Sequence, residues 1–201
     1  MEKDTYLTVC GPSAEIPVYK EKGSRFLGYV FHVESDEDIR QAVQIVRAEH
    51  HAARHVCYAY RLGFPERSFR ANDDGEPSGT AGLPIYNQLL SFDVTDTLVV
   101  VVRYFGGILL GASGLVSAYK QAARMALETA GIESRTVCRE FDIHFGYPQM
   151  SSVMRVVKER GLAVLEQDFR EKCRLRVSVR LSGYNAAEEV LEGIFGVKVS
   201  G

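Results

Sequence analysis

The stretch VVVVRYFGGILLGASG, residues 99–114, is the feature that most constrains what this chain can fold into. Consecutive β-branched residues are typical of a strand that is buried on both faces. Glycines then occupy positions 106, 107, 111 and 114, ahead of a segment with apolar residues at helical spacing. The stretch therefore predicts a central strand, a glycine-rich turn and the beginning of a helix.

A strand that passes through a glycine-rich turn into a helix is a common phosphate-binding arrangement. Gly106 and Gly111 have the spacing of a P-loop, but Ala112 stands where that motif has its lysine. A nucleophile elbow is also absent, since Leu115 replaces its last glycine. We expect no nucleotide hydrolysis here: either the turn holds an anion, or its glycines serve only close packing. The candidate anion-binding residues are Arg103, Tyr104, Phe105, Gly106, Gly107, Gly111, Ser113 and Gly114.

The rest of the chain divides into two patterns. Strands are predicted over 24–33 and 55–63, and helices after Ser35, over 83–92 and from Ser113 to about Gly131. From about residue 137, shorter segments follow the order β-α-β-β-α-β, which is that of ferredoxin-like domains. We expect an α+β protein of two domains, 1–136 and 137–201.

Residues 64–82 are predicted to form a long loop, and its second half is rich in acids and glycines. Long loops of this composition commonly bind something. One interpretation is a surface Mg²⁺ contact, and another is that Ser78 or Thr80 caps the next helix. Either this acidic loop lies elsewhere in the fold, or it opposes an anion at the glycine-rich turn only weakly; the sequence does not fix the distance between them. Its candidate contact residues are Asp73, Asp74, Gly75, Glu76, Ser78 and Thr80.

Histidines and cysteines give no clear metal motif. His51 and His55 would share one helix face, as a metal pair could, if the first helix continued. The alternative is that these histidines lie at the end of the helix and interact favourably with its C-terminal dipole. The four cysteines are scattered, which is typical of reduced thiols in a cytosolic protein, and Cys57 is expected to point into the core. The sequence predicts no metal site and no cofactor.

One strand of the second domain has a basic face. Arg174, Arg176 and Arg180 share one parity of the strand over 173–182 and are candidate nucleic-acid contacts. Glu140 and Asp142 on the expected neighbouring strand would pair with these arginines. Either the face contacts RNA, or it is a solvated surface of ion pairs.

Charge and hydropathy exclude some classes of protein. The formal net charge of −2 gives no overall attraction for nucleic acid, so that any RNA site must be a local patch. No apolar run approaches the length of a membrane span, and the N-terminus lacks a secretory pattern. The expected location is the cytoplasm.

Three stretches of the first half resemble a known family. These are ARHVCYAYR (53–61), NDDGEPSGTAGLPI (72–85) and VVVVRYFGGILLGASGLVSAY (99–119). On them the chain is identified as similar to the IMPACT family in its bacterial, YigZ-type form. The resemblance implies a first domain similar to domain IV of elongation factor G and to small-subunit ribosomal proteins. It also implies a ferredoxin-like second domain similar to domain V of that factor.

The resemblance also implies a link to translation. Eukaryotic members restrain the kinase that stops translation initiation during amino-acid starvation, and they carry an additional RWD domain that we do not expect here. We expect a non-enzymatic binding protein that contacts RNA or the ribosome, or a protein partner in translation control. The alternatives are a metal-assisted hydrolase or transferase that uses the 73–78 loop, and a protein-interaction module without nucleic acid.

Overall fold

A computed structural model describes residues 4–11, 15–65, 67–170 and 172–201. The chain separates into two compact units, one formed by residues 6–135 and the other by residues 136–201 together with Asp4 and Thr5. No helix within the described ranges is long and apolar enough to cross a membrane.

Within the described ranges, the N-terminal unit contains seven strands and three helices. In chain order they are β1 (Thr5–Val9), β2 (Val18–Glu21), β3 (Ser24–His32), α1 (Asp36–Glu49), β4 (His55–Leu62), β5 (Ser68–Asn72), α2 (Gly82–Ser91), β6 (Thr97–Tyr104), α3 (Gly111–Thr129) and β7 (Ile132–Thr136). Five strands form an antiparallel sheet in the order β2-β3-β6-β4-β5, and β1 pairs with β7.

The central strand of this sheet is β6, as the valine run predicts. Val99 and Val101 pack into a core with α2 and α3, whereas Val100 and Val102 face the opposite side, which α1 covers. Every residue from Thr97 to Arg103 is buried. A strand with helices on both faces needs apolar side chains on both parities, and this confirms the interpretation of residues 99–102.

Local sequence signals account for the helix boundaries of α1 but not of α2. Ser35 and Asp38 form a capping box at the beginning of α1, and three acids occupy its first turn. Neither Ser78 nor Thr80 caps α2: the Thr80 hydroxyl instead donates to the Pro77 carbonyl at 2.6 Å. That part of the sequence interpretation is wrong.

The predicted loop over 64–82 is also partly wrong, because residues 68–72 form the edge strand β5. All five residues pair with β4, from Ser68 opposite Leu62 to Asn72 opposite Tyr58. Their side chains are mostly exposed, so the segment lacks the buried alternation by which a strand is recognised.

The C-terminal unit follows the order strand, helix, two strands, helix, strand. Its elements are β8 (Cys138–Phe145), a 3₁₀ turn (Tyr147–Gln149), α4 (Met150–Glu159), β9 (Ala163–Phe169), β10 (Cys173–Arg180), α5 (Leu181–Glu192) and β11 (Lys198–Ser200). The strands form one antiparallel sheet in the order β11-β8-β10-β9. Phe141, Ile143 and Phe145 point into a core with both helices, as their alternation predicts.

The glycine-rich turn after β6 packs directly on the hairpin between β2 and β3. Lys22 and Gly23, both with positive φ, form that two-residue hairpin turn. A Cβ atom on Gly106 would lie 1.9 Å from the Gly23 carbonyl carbon and 2.2 Å from the Ser24 nitrogen. Only glycine permits this approach of two backbones, so Gly106 fixes where the turn leaves the sheet.

We expect Gly106→Ala to destabilise the N-terminal unit more than Gly107→Ala does. The first change forces two backbones apart and should lower the free energy of unfolding by roughly 2–3 kcal/mol. Gly107 has a φ of +87° and open space around it, so its alanine variant should lose only about 1 kcal/mol. Urea unfolding of both variants measures the difference, and equal losses would contradict the proposed packing role.

Candidate functional site

The acidic loop lies against the end of β6, not away from it. Glu76 Oε1 accepts hydrogen bonds from Arg103 Nη1 at 2.7 Å and from the Tyr119 hydroxyl at 2.8 Å. The Arg103 and Glu76 side chains are only 7% and 3% exposed. The alternative in which this loop lies elsewhere in the fold is therefore wrong. Arg103 and Glu76 are 27 positions apart, and no local sequence pattern indicates that two residues so far apart are paired.

Asp73 holds the loop to the beginning of α2. Its carboxylate accepts from the backbone N–H groups of Gly79 at 2.9 Å, Ala81 at 3.0 Å and Gly82 at 2.8 Å. Burial acts to raise the pKa of Asp73, but the three backbone donors outweigh it, and the pKa is lowered from its ordinary 3.8. Asp73 thus does the capping that the sequence assigned to Ser78 or Thr80.

Asp74 joins the loop to β4 and α1. Its carboxylate accepts from the Val56 backbone N–H at 2.7 Å and pairs with Arg47 at 2.6 Å. Its carbonyl oxygen lies 2.9 Å from His55 Nδ1. Asp74 has a positive φ, as does Gly75, which lets the chain turn between these contacts. Each acid of the loop therefore has a structural partner.

Cys57 lies below this loop. Its Sγ lies 3.0 Å from the Asp73 carbonyl oxygen and 3.4 Å from the Tyr119 hydroxyl. Burial raises the pKa of the Cys57 thiol to about 12. A thiol in this state is protonated at neutral pH and is a poor nucleophile. The expectation that Cys57 points into the core is confirmed.

The acids of the loop do not assemble a metal site. Asp73, Asp74 and Glu76 point to three different partners, and the described residues contain no group of three or more histidine, cysteine or acidic side chains suited to an ion. The histidines also lie apart, because α1 ends at Glu49 and His55 begins β4. His50 is instead hydrogen-bonded to the hydroxyls of Tyr29 and Tyr104, the latter at 2.8 Å.

Arg103 does not face the turn as an unpaired cation. Its charge is paired with Glu76, and its buried Nε has no hydrogen-bond partner among the described residues. The Arg103 Cζ lies 5.6 Å from the ring centroids of Phe26 and of Phe105. This differs from the sequence expectation, in which Arg103 supplies positive charge to a bound anion.

The turn itself exposes apolar side chains beside an open helix N-terminus. Phe105, Ile108 and Leu109 are 51%, 57% and 83% exposed. Helix α3 begins at Gly111, where no described side chain caps its N-terminus, and Gly111 to Ser113 are exposed. Unlike α2, α3 therefore leaves its first backbone N–H groups open to solvent or a ligand.

Besides Lys22 and the acid Glu21 in the hairpin between β2 and β3, three cations lie near the same end of the sheet. Lys20 on β2 lies directly opposite Arg25 on β3, and Arg25 lies opposite Tyr104, with its Cζ 5.2 Å from the tyrosine ring. Arg54 immediately precedes β4, whose first residue, His55, lies opposite Arg103 on β6. All three are exposed, and none forms an ion pair with any residue that the structure describes. We call this end of the sheet, with residues 20–25, 54 and 103–114, the β6 edge.

Sequence reasoning missed the cations of the β6 edge. In the segment KEKGSR at 20–25, the Lys22-Gly23 dipeptide was the only sequence signal of the turn that the structure shows there. Which strand lies beside β3 could not be read from it, so the position of Arg25 opposite Tyr104 was not expected.

The basic strand β10 is paired with acids. Arg174 lies 3.0 Å from Asp142, and Arg176 lies 3.0 Å from Glu140 on β8. The registers place Arg176 opposite Asp142, so that each ion pair is diagonal. Arg180 ends β10 opposite Cys138 and is exposed. The expected cross-strand pairing is confirmed for Arg174 and Arg176.

Comparisons with known proteins agree with this fold. A family model described as the Impact N-terminal domain matches residues 22–127. The chain is 37% identical over 171 residues to IMPACT family member YigZ of Escherichia coli (strain K12), which covers 84% of both chains. A crystal structure described as that of an hypothetical protein is 30% identical, with a TM-score of 0.72, and covers 98% of this chain and 97% of that one.

A more distant solved structure is that of Yih1, described as a two-domain translational regulator. It is 22% identical, covers 62% of this chain and 47% of that one, and has a TM-score of 0.36. The chain is thus a mixed α/β protein with an Impact N-terminal domain in its first unit. It belongs to the IMPACT family.

We expect Arg103→Met to lower the free energy of unfolding by about 3–5 kcal/mol, because it leaves the Glu76 carboxylate buried without its cation. Arg124→Met is the control: it removes an exposed pair with Glu128 and should cost less than about 1 kcal/mol. Adding Glu76→Gln to Arg103→Met should recover part of the loss. Urea unfolding measures all three, and no recovery in the double variant would contradict a direct ion pair.

The lowered pKa of Asp73 predicts a pH-dependent effect of Asp73→Asn. The stabilising effect of its carboxylate is fully present above the ordinary value of 3.8 and is lost as the pH falls through the lowered value in the folded state. At pH 7 the variant should be less stable by about 1 kcal/mol. Its difference from the parent protein should shrink below pH 4 in urea unfolding, whereas a difference constant with pH would argue against this cap.

Proposed function

We propose that this chain is a non-enzymatic binding protein connected with translation, and that its β6 edge contacts RNA in the ribosome. The IMPACT family supports the link to translation, since its eukaryotic members regulate that process. The observation that carries the RNA contact is the row formed by Lys20, Arg25 and Tyr104 across three neighbouring strands.

The like-charged pair in that row favours an anionic ligand. Two cations directly opposite each other on one sheet face repel, which destabilises the free protein. A phosphate backbone would relieve this repulsion, and contacts of this kind provide most of the affinity of nucleic-acid binding. Because the chain as a whole carries a net charge of −2, the attraction must come from such a local group.

The open N-terminus of α3 is a second feature at the same end of the sheet, on the face opposite the row of cations. Its unpaired N–H groups and the helix dipole favour an anion at Gly111–Ser113. Gly106 brings this turn against the hairpin that carries Lys22 and Arg25. The proposed contact therefore includes Gly107, Gly111, Ser113 and Gly114 from the sequence-based candidates, together with the newly recognised cations.

The candidate enzyme has weaker support. A metal-assisted hydrolase would need Asp73, Asp74 or Glu76 free to bind an ion, yet these acids are engaged with α2, Arg47 and Arg103. The protein-interaction alternative rests on the exposed side chains of Ile108 and Leu109. A contact within the ribosome accommodates the exposed apolar side chains as well as the cations, since ribosomal surfaces present protein as well as RNA.

The C-terminal unit supports a finer proposal about the fold. Its β-α-β-β-α-β order and its sheet order β11-β8-β10-β9 fit a ferredoxin-like domain over 137–201. We propose on the same basis the similarity to domains IV and V of elongation factor G that the family resemblance implies. In this arrangement Arg174 and Arg176 are occupied by ion pairs, so that β10 contributes less to RNA binding than the β6 edge does.

We expect the triple variant Lys20→Gln, Arg25→Gln, Arg54→Gln to weaken binding to intact ribosomes and to a short labelled RNA. Each lost phosphate contact should reduce the slope of log K against log salt by about 0.7 for single-stranded RNA. Co-sedimentation and fluorescence anisotropy over a salt series measure both quantities.

Two control variants carry the same loss of charge. Arg40→Gln, Lys120→Gln, Arg124→Gln removes three exposed cations from α1 and α3, and Arg174→Gln, Arg176→Gln, Arg180→Gln removes three from β10. We expect both controls to keep most of the affinity and salt slope. If all three triple variants lose affinity equally, only net charge matters. If the parent protein binds neither ribosomes nor RNA, the proposed function is wrong.

A further inference from the structure

Helix α1 covers only part of its side of the five-stranded sheet. It packs mainly over β4 and β6 and leaves the same side of β2 and β3 partly open. Ile16, Val18 and Ile45 border this open area, and their side chains are 43%, 40% and 55% exposed. Val18 lies opposite Leu27, which belongs to the apolar side under α1. Neighbouring exposed apolar side chains of this size are typical of a surface that another molecule covers.

An open cavity of about 180 Å³ lies between α1 and β3 in this area. Ile16, Phe31 and Ile45 line it together with Tyr29, and Glu49 stands at its border. Sites for cofactors and drug-sized ligands commonly measure about 300–1,000 Å³. The cavity is smaller than that, and its apolar lining is suited to side chains from another protein surface.

Opposite charges stand at the two ends of this area. Where β3 begins, Lys20 and Arg25 lie opposite each other, and both are exposed. Shortly after β3 ends, α1 begins with three exposed acids, Asp36–Asp38. Arg40 pairs with Glu37 at the surface, where such a pair contributes little. Along β3 the surface is therefore basic, then apolar, then acidic.

This order of charges is complementary to itself. A two-fold axis that lies in the interface and crosses the apolar middle brings the two apolar areas together. The same axis places the basic end of each copy against the acidic end of the other, as an isologous contact requires. An RNA strand laid along the whole area would instead meet the acids of α1, so RNA fits the basic end alone.

We infer that the protein forms a two-fold dimer with a second copy of itself through this open area, with Ile45 near the axis. Because the apolar part is small, the dimer is a weak one that depends on protein concentration. It covers Lys20 and Arg25 and therefore excludes RNA from their row, a consequence that rests on the proposed function. The dimer itself does not depend on RNA binding.

The dimer is tested by sedimentation velocity of the full chain over a series of protein concentrations, at low and at high salt. The parent protein should dimerise as its concentration rises, and salt should weaken the dimer by screening the exposed charges. Ile45→Asp should weaken it at least about 10-fold, because a charge then lies at the centre of the contact. Leu83→Asp is the matched control, since Leu83 is 50% exposed on α2, which packs on the other side of the sheet.

Charge reversals test whether unlike ends meet. Lys20→Glu with Arg25→Glu leaves both ends acidic, and Asp36→Lys with Glu37→Lys leaves both ends basic. Asp38 is kept because it belongs to the capping box of α1. Each double variant alone should be monomeric, because like ends repel, whereas an equal mixture of the two should restore a dimer.

The inference is overturned if the parent protein stays monomeric at every concentration, or if Ile45→Asp dimerises as well as the parent does. It is also overturned if the folded double variants dimerise alone or fail to associate when mixed. Circular dichroism reports whether the variants are folded, and where a reversal disturbs α1, the concentration series and Ile45→Asp still decide. None of these measurements contains RNA, so that failure of the dimer is distinguishable from failure of the proposed function.

Discussion

The buried ion pair between Glu76 and Arg103 connects the parts of the N-terminal unit that sequence alone leaves separate. Arg103 ends the buried part of the central strand, Glu76 belongs to the acidic loop, and Tyr119 on α3 donates to the same carboxylate. A pair removed from water in this way gains little net stability over an apolar pair, but losing one partner is costly. Its effect is thus to specify one arrangement: the loop, the strand and the helix must meet at this point. The position of the glycine-rich turn and of the Phe105 ring depends on it.

The same pair determines how much unpaired charge the acidic loop and the glycine-rich turn present. The carboxylates of all three acids of the loop are hydrogen-bonded to other parts of the protein, so the loop presents little unpaired negative charge. Arg103 in turn gives no free positive charge to the turn. Among the residues that the structure describes, Lys20, Lys22, Arg25 and Arg54 at the β6 edge form no ion pair, and the acid Glu21 lies in the same hairpin. An anion would therefore meet the hairpin and the helix N-terminus, not the arginine that the strand–turn motif singles out.

Much of the fold could be predicted from the sequence because buried faces of strands and helices require apolar residues at regular spacing. The valine run placed the central strand, and the alternation at Phe141, Ile143 and Phe145 gave the inward face of β8. Where few side chains are buried, the sequence shows no such spacing: β5 is mostly exposed, and its residues were predicted to be a loop. Capping failed for another reason, since Asp73 reaches the N-terminus of α2 from eight positions before Ala81, beyond the local spacing of a capping motif.

The candidate site could be predicted only as a set of residues, because its chemistry depends on long-range pairing. The turn 103–114 and the loop 73–80 were both identified, yet whether Arg103 is a free cation was decided by Glu76, 27 positions earlier. Arg25 illustrates the opposite case. A lysine and an arginine in a hairpin are ordinary surface residues until the register sets them opposite each other and beside Tyr104. Repulsion between like charges destabilises the free protein, and the attraction of an anion lying across the row would offset it. For that reason the proposed function depends on the pairing of Lys20 with Arg25 more than on any single motif.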